Sequence, residues 1–408
     1  MLVKYEFLKI LRKKSTRVVM EVSLIITAFL FGLPATQYQT YNQDGVIKGT
    51  EGIAYDKGLY EDLSVPLTEA YITDTIRDVQ TLFEHPENVG YDGNEQFIIG
   101  DAYWNEIAPK EKLLNMLARN YVGPNESAGY NIFSTIDISE GANFYEAMQT
   151  KLDAQLNLSS RSMTDEQKEY WTDLAGEVHT PLQYGYDEAW ECIISSFELL
   201  MFAILAICIV IAPVFSGEYQ AGTDAVILSG KYGKTKVVKA KIKASLLFGT
   251  LAFVLHIIVA CGLPIIAFGA DGWNLPVQIA NTTIPYPFTF FQATLINIGV
   301  IYMVLLAMIG LTLLLSSRMK SPYLVLTVLV PVLFIPMFLS PNGATGVYNL
   351  TLFLLPYRAT MPELGKFISY QLGSVVIDVV LVRAILYAAL AAVMLPLAKL
   401  GFKKHQVA

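Results

Sequence analysis

Six apolar runs, at residues 18–33, 192–212, 244–268, 290–315, 322–339 and 374–397, constrain this chain more than any other feature. A bilayer core takes about 20 helical residues to cross, and runs of that length predict a membrane protein of the α-helical class. Composition agrees: 53% of the 408 residues are hydrophobic and only 16% are charged, where a soluble protein is nearer about a quarter charged. The first run follows a basic segment. No small-x-small cleavage pattern precedes Pro34, and Glu21 interrupts the run, so it reads as a span and not as a signal peptide.

Charge orients the runs. Residues 35–190 carry nine Lys/Arg against 27 Asp/Glu. Most of the remaining basic residues gather at run ends: Lys4 to Arg17, six lysines from Lys231 to Lys243, Arg318 with Lys320, and Lys399 with Lys403 and Lys404. If all six runs cross, these clusters share one side, which the positive-inside rule makes cytoplasmic. The expected order is therefore an interfacial amphipathic helix at 1–16 and a span at 17–34. An extracytoplasmic domain at 35–190 and a span at 191–213 follow, then a cytoplasmic loop at 214–243. Spans at 244–268 and 290–315 enclose an external loop at 269–289. A short loop at 316–321 leads to a span at 322–339 and an external loop at 340–373 with a re-entrant or surface helix near 347–355. A span at 374–397 and a cytoplasmic tail at 398–408 complete it. Cys192, Cys208 and Cys261 all fall in predicted spans, so no disulfide framework supports the outer domain. That usage fits a bacterial plasma membrane.

Within 35–190 the start is glycine-rich and reads as extended, with helices predicted at about 66–84, 103–121, 140–157 and 164–176. Thr164-x-x-Gln167 has the capping-box form. Among the apolar runs, Pro213 is expected to close the second, while Pro331 and Pro336 interrupt the fifth.

Few residues suggest chemistry. Gly230-Lys-Tyr-Gly233-Lys234-Thr235 has two residues between its glycines where a phosphate loop needs four. His85, His179, His256 and His405 are scattered, none with a second ligand at metal spacing. No catalytic, metal or cofactor set is expected on this chain. Ionisable or polar groups inside spans are more informative, because lipid makes them costly. Glu198, Asp378, Arg383 and His256 are the candidates. Asp378 and Arg383, five residues apart, point about 140° away from each other on a helix. Glu198 is the expected partner of Arg383. Two readings stay open for these groups: an ion pair that locks helices, and the polar lining of a substrate path.

The segment Ser216-Gly-Glu218-Tyr219-Gln-Ala-Gly222-Thr223, with the lysine run behind it, lies between two spans. At Glu218-x-x-x-Gly222-Thr223, and in its continuation to Lys239-Ala-Lys241, the chain resembles permease subunits of bacterial ABC transporters of the ABC-2 type. The resemblance covers the membrane part and not residues 35–190. It implies a six-span ABC-2 type (type V exporter-like) transmembrane domain, to which the residue pattern of 35–190 adds a mainly helical α+β extracytoplasmic domain. It also implies an exporter of an amphiphilic substrate, such as an antimicrobial peptide, a lipid or a drug-like molecule. Glu218, Tyr219, Gly222, Thr223, Lys231 and Lys241 are the residues it assigns to coupling. ATP and Mg would bind separate ABC ATPase subunits, and a second permease copy or paralogue would complete a dimer. Membrane lipid is an expected partner and nucleic acid is not. The alternatives are a signalling or mechanotransmission protein that moves its outer domain without transport, and a membrane-bound enzyme using the acidic domain.

Overall fold

In the computed structural model, residues 1–404 are described; His405 and the end of the predicted tail lie outside them. The chain is mostly helical, with three small antiparallel hairpins. Among the described residues, five helices are long and apolar enough to cross a membrane: Lys14–Thr36, Glu188–Gln220, Gly233–Phe268, Phe290–Ser316 and Val379–Lys403. The sixth apolar segment, Pro322–Phe338, is shorter. Its α-helix ends at Phe334 and a 3-10 turn, Ile335–Phe338, finishes it, because Pro331 and Pro336 each remove a backbone donor.

Both ends of the chain come together at one end of the bundle, here the basic end. Lys9 Nζ lies 2.6 Å from Glu218 Oε1, and the Phe402 ring packs 4.7 Å from that of Phe215. Tyr219 donates its hydroxyl to Ser317 O at 2.9 Å. The other end, the domain end, carries residues 37–187. The short segment Pro322–Phe338 travels between the two. It starts beside the Ser317 turn and finishes at Leu339, whose carbonyl accepts from Arg358 Nη2 at 3.1 Å at the domain end.

Several predicted boundaries shift, each for a local reason. Pro213 does not close the second span. It is the first residue of a further helical segment, Pro213–Gln220, on the same rod. A proline there leaves the following amides short of partners. Ser316, from the fourth span, mends the break: its Oγ accepts from Phe215 N at 3.1 Å and Ser216 N at 3.0 Å and donates to Ala212 O at 2.6 Å. The last span begins at Val379, five residues later than expected. Val375, Val376 and Ile377 form a strand, Val375–Asp378, of a hairpin turned at Gly373 with φ +64.

The domain end keeps the predicted helices at Glu69–Phe83, Phe144–Leu156 and Asp165–Gly176, the last with the Thr164/Gln167 capping box. The helix predicted over 103–121 is broken. Pro109 confines it to Glu111–Ala118, flanked by a π turn and 3-10 turns. The glycine-rich start is not extended throughout: after a hairpin at 39–48 it forms a helix, Gly49–Leu59. Gly52 is needed there, since a Cβ would sit 2.9 Å from Ile47 O.

The loops between later spans belong to the same packed unit. Thr282 Oγ1 donates to Asn120 Oδ1 at 2.7 Å, Gln167 Nε2 to Ser369 Oγ at 3.1 Å, and Trp171 packs against Tyr286 and Phe367. Three separated stretches of sequence thus build the domain end.

Candidate functional site

The segment from Glu218 to Thr223 forms a Schellman cap at the end of the long second helix. Gly222 takes the left-handed conformation, φ +64. Its N–H bonds Tyr219 O at 3.2 Å, and Thr223 N–H bonds Glu218 O at 3.0 Å, the paired bonds of that motif. Glycine is required at 222 by backbone conformation. Close approach does not apply, because nothing lies within 4 Å of an added Cβ. Close approach operates instead at Gly233, where a Cβ would sit 1.6 Å from Ile227 O.

Glu218 is the hub. Its Oε1 receives Lys9 at 2.6 Å and Lys241 at 2.7 Å, and its Oε2 receives the Thr223 hydroxyl at 2.5 Å. Lys241 also reaches Glu6 Oε2 at 3.0 Å. Glu218 and Lys241 are 7% and 2% exposed, so the pairs are largely withdrawn from water. Two carboxylates face two ammonium groups, which satisfies the requirement that buried charge be paired. The hub ties the N-terminal helix Leu2–Leu11, the end of the second span and the start of the third. Thr223 does not use its side chain to cap the next helix, Asp224–Ser229, because that hydroxyl is turned back to Glu218.

Lys241 was expected in a loop and lies inside the third long helix. The lysine run alternates with Val238, Ala240, Ile242 and Ala244 in a helical pattern, and Lys241 falls on the buried face while Lys239 and Lys243 are exposed. Tyr219 stacks on Phe402 with ring centroids 5.6 Å apart. Lys231 stays apart, exposed beside Tyr232 with its Nζ 5.7 Å from the ring. Glu6 and Lys9 were missed by sequence reasoning. The available signal was that Glu6 is the one acid among residues 1–16.

The N-terminal helix has two apolar faces. Val3, Phe7 and Ile10 pack on the protein core. Leu2, Tyr5 and Leu11 remain exposed.

The four intramembrane candidates do not form one site. His256, fully buried, joins the third span to the first: Nδ1 bonds Ala252 O at 2.8 Å and Nε2 meets Ser23 Oγ at 3.1 Å. Asp378 is not within a span. It caps the last one, accepting from Val380 N at 2.7 Å and Leu381 N at 3.0 Å, and it receives Tyr170 hydroxyl at 3.1 Å. Arg383 does not pair with Glu198. Its Nε donates to Phe353 O at 2.9 Å and its Nη1 to Met361 O at 2.7 Å, so carbonyls at the ends of short helices take its hydrogen bonds, with the Glu363 carboxylate as its nearest opposite charge. Glu198 accepts from Tyr357 hydroxyl at 3.3 Å.

No known protein family, curated relative or solved structure matches this chain. Its reading therefore rests on the residues and geometry above.

Proposed function

We propose that this chain is the membrane subunit of an ABC-2-type exporter, crossing the plasma membrane six times and working as a dimer with separate ATPase subunits. The observation that carries the reading is the Glu218 hub. A helix-end acid, bound by Lys9, Lys241 and Thr223, ties the N-terminal helix to the second and third long helices at the basic end, where the short helix Asp224–Ser229 follows directly on the cap. Six residues make no stable helix alone. This one is fixed by the Schellman cap before it and by Gly233 packed under Ile227 O after it. It presents Val226, 74% exposed, with Lys231 and Tyr232 beside it. A partner gripping this helix moves the second and third spans together, because the hub joins them. ATP and Mg act on the partner in this reading.

The test is reconstitution with candidate ABC ATPase subunits from the same cell. ATP hydrolysis is expected to depend on the permease, and Val226→Glu is expected to abolish association while the purified chain stays folded. Hydrolysis that is the same with and without the chain would defeat the reading. Hydrolysis without movement of any amphiphile across proteoliposomes would favour mechanotransmission instead.

A further inference from the structure

The domain end holds a second group of polar side chains that coupling does not use. Glu188, Glu191, Ser195 and Glu198 follow one another at steps of three and four residues, which places them on one face of the second helix. Two cavities open along that face. One, of about 470 Å³, is lined by Tyr38, Asp56, Tyr60, Lys112, Tyr186 and Glu191, among others. The next, of about 290 Å³, combines Glu198 and Glu363 with apolar Ile194, Ile284 and Phe290. Glu191 and Ala280 line both, so the cavities adjoin.

Charge in the larger cavity is unbalanced: Asp56, Glu111, Glu188 and Glu191 line it against Lys112 and Arg119, and Asp187 lies just behind Lys112. Lys112 Nζ lies 3.1 Å from Asp187 Oδ1, 3.6 Å from Glu188 Oε2 and 2.9 Å from Glu191 Oε2. One ammonium thus serves three carboxylates whose oxygens lie within 4.8 Å of one another. Two buried polar atoms beside it have no hydrogen-bond partner among the described residues. They are the hydroxyl of Tyr186, a residue 6% exposed that lines the cavity, and Oδ2 of Asp187, 2% exposed. Buried polar atoms are rarely left unpaired. These two mark donor and acceptor capacity that the chain itself does not fill.

We propose that this cleft binds a primary ammonium carried on a short apolar tail. The head group competes with Lys112 for Glu191, and the tail enters the smaller cavity against Ile194, Ile284 and Phe290. Lys112 shows what the acidic group accepts: an ammonium at hydrogen-bond distance. The walls favour an organic cation over a metal ion, since the rings of Tyr60 and Tyr186 line the larger cavity and aromatic faces attract organic cations. The apolar pocket next door suits a hydrocarbon chain. This deepens the export reading by giving a substrate class, and it rests on that reading for transport but not for binding.

The test uses the full chain in lipid nanodiscs without any ATPase, titrated calorimetrically with hexylammonium, hexanol and hexanoate. Hexylammonium is expected to bind about tenfold or more tightly than either comparison probe. Glu191→Gln, at a side chain 45% exposed and so tolerant of change, is expected to weaken hexylammonium about tenfold and leave hexanol unaffected. Lys112→Met removes the internal competitor and is expected to tighten binding. If that variant fails to fold, the Glu191→Gln comparison decides. Equal binding of the three probes, an unchanged Glu191→Gln, or weaker binding by folded Lys112→Met would overturn the proposal. So would Mg²⁺ or Ca²⁺ alone binding at the triad and excluding hexylammonium. Failed transport alongside these expected binding results would remove the export reading and leave the site.

Discussion

Neutralising the hub acid by Glu218→Gln gives a graded prediction. Three donors converge on that carboxylate: Lys9, Lys241 and Thr223. Lys9 is 51% exposed in its side chain and returns to water, so its share is below about 1 kcal/mol. Lys241 is 2% exposed but keeps Glu6 at 3.0 Å. What is lost is a charge-assisted hydrogen bond, about 1.5–3 kcal/mol, and not the whole of a buried charge's compensation. Removing Glu6 as well leaves Lys241 buried without a carboxylate, which costs about 3–5 kcal/mol. Glu6→Gln with Glu218→Gln should therefore destabilise by more than the two singles added. Cys208, fully buried, and Cys192, at 9% exposure, provide the assay: a thiol-reactive dye reports unfolding of the purified protein as they become accessible. Midpoints move roughly 2–4 °C per kcal/mol in domains of 150–250 residues and less in longer chains, so Glu218→Gln is expected to lose a few degrees and Lys9→Met almost none. An additive double variant, or a Lys9→Met as damaging as Glu218→Gln, would refute the assignment of Lys241 as the dependent partner.

Other outcomes follow from single residues. Gly222→Ala should cost about 1–2 kcal/mol through its left-handed backbone alone, and Gly222→Asn less. Gly233→Ala should rebuild the loop and lose the ATPase in a pull-down, because its Cβ would meet Ile227 O at 1.6 Å. Ser316→Ala leaves the amides of Phe215 and Ser216 without their acceptor and should lower stability by about 1–3 kcal/mol, while a Ser229→Ala control at the exposed loop should be near neutral. For Lys112, burial works against the charge, but Asp187 and Glu191 overcome it and hold the ammonium above its ordinary pKa. Since the folded value is raised, this stabilisation is complete below the usual lysine pKa of about 10.4 and is lost only as pH rises beyond it. The thermal midpoint of wild type relative to folded Lys112→Met should therefore be constant in this respect up to about pH 10 and fall above it.

What could be read from the sequence was whatever depends on nearby residues. The apolar runs, the capping box at Thr164 and the break at Pro109 are local; the capping box was read correctly, while among the described residues five of the six runs fall on helices long enough to cross a membrane and the run at 322–339 does not. The continuation of the second span past Pro213 depends on Ser316, a hundred residues away, and no local rule shows it. Val375 to Ile377 carried a legible strand signal in their β-branching, but the apolar run beside them masked it. Glu218, Thr223 and Lys241 do meet, as their spacing around a loop permits. Their other partners sit on the N-terminal helix, and only the single acid there hinted at it. Arg383 was assigned a carboxylate because charge is what sequence displays. Carbonyls freed at the ends of short helices carry no sequence label.

The mended joint at Pro213 has a mechanical consequence. Glu191 lies 22 residues from it, about 33 Å along the helix at 1.5 Å per residue. With Ser316 holding the joint stiff, a swing of only 5° about it displaces Glu191 by about 3 Å over that arm. That distance is comparable with the 2.9 Å contact between Glu191 and Lys112. A nudge at the Glu218 end too small to disturb side-chain packing is thus geared up, at the far end, into the making or breaking of an ion pair. Cutting the Ser316 hydroxyl would put slack into the rod, and the same nudge would be spent at the hinge.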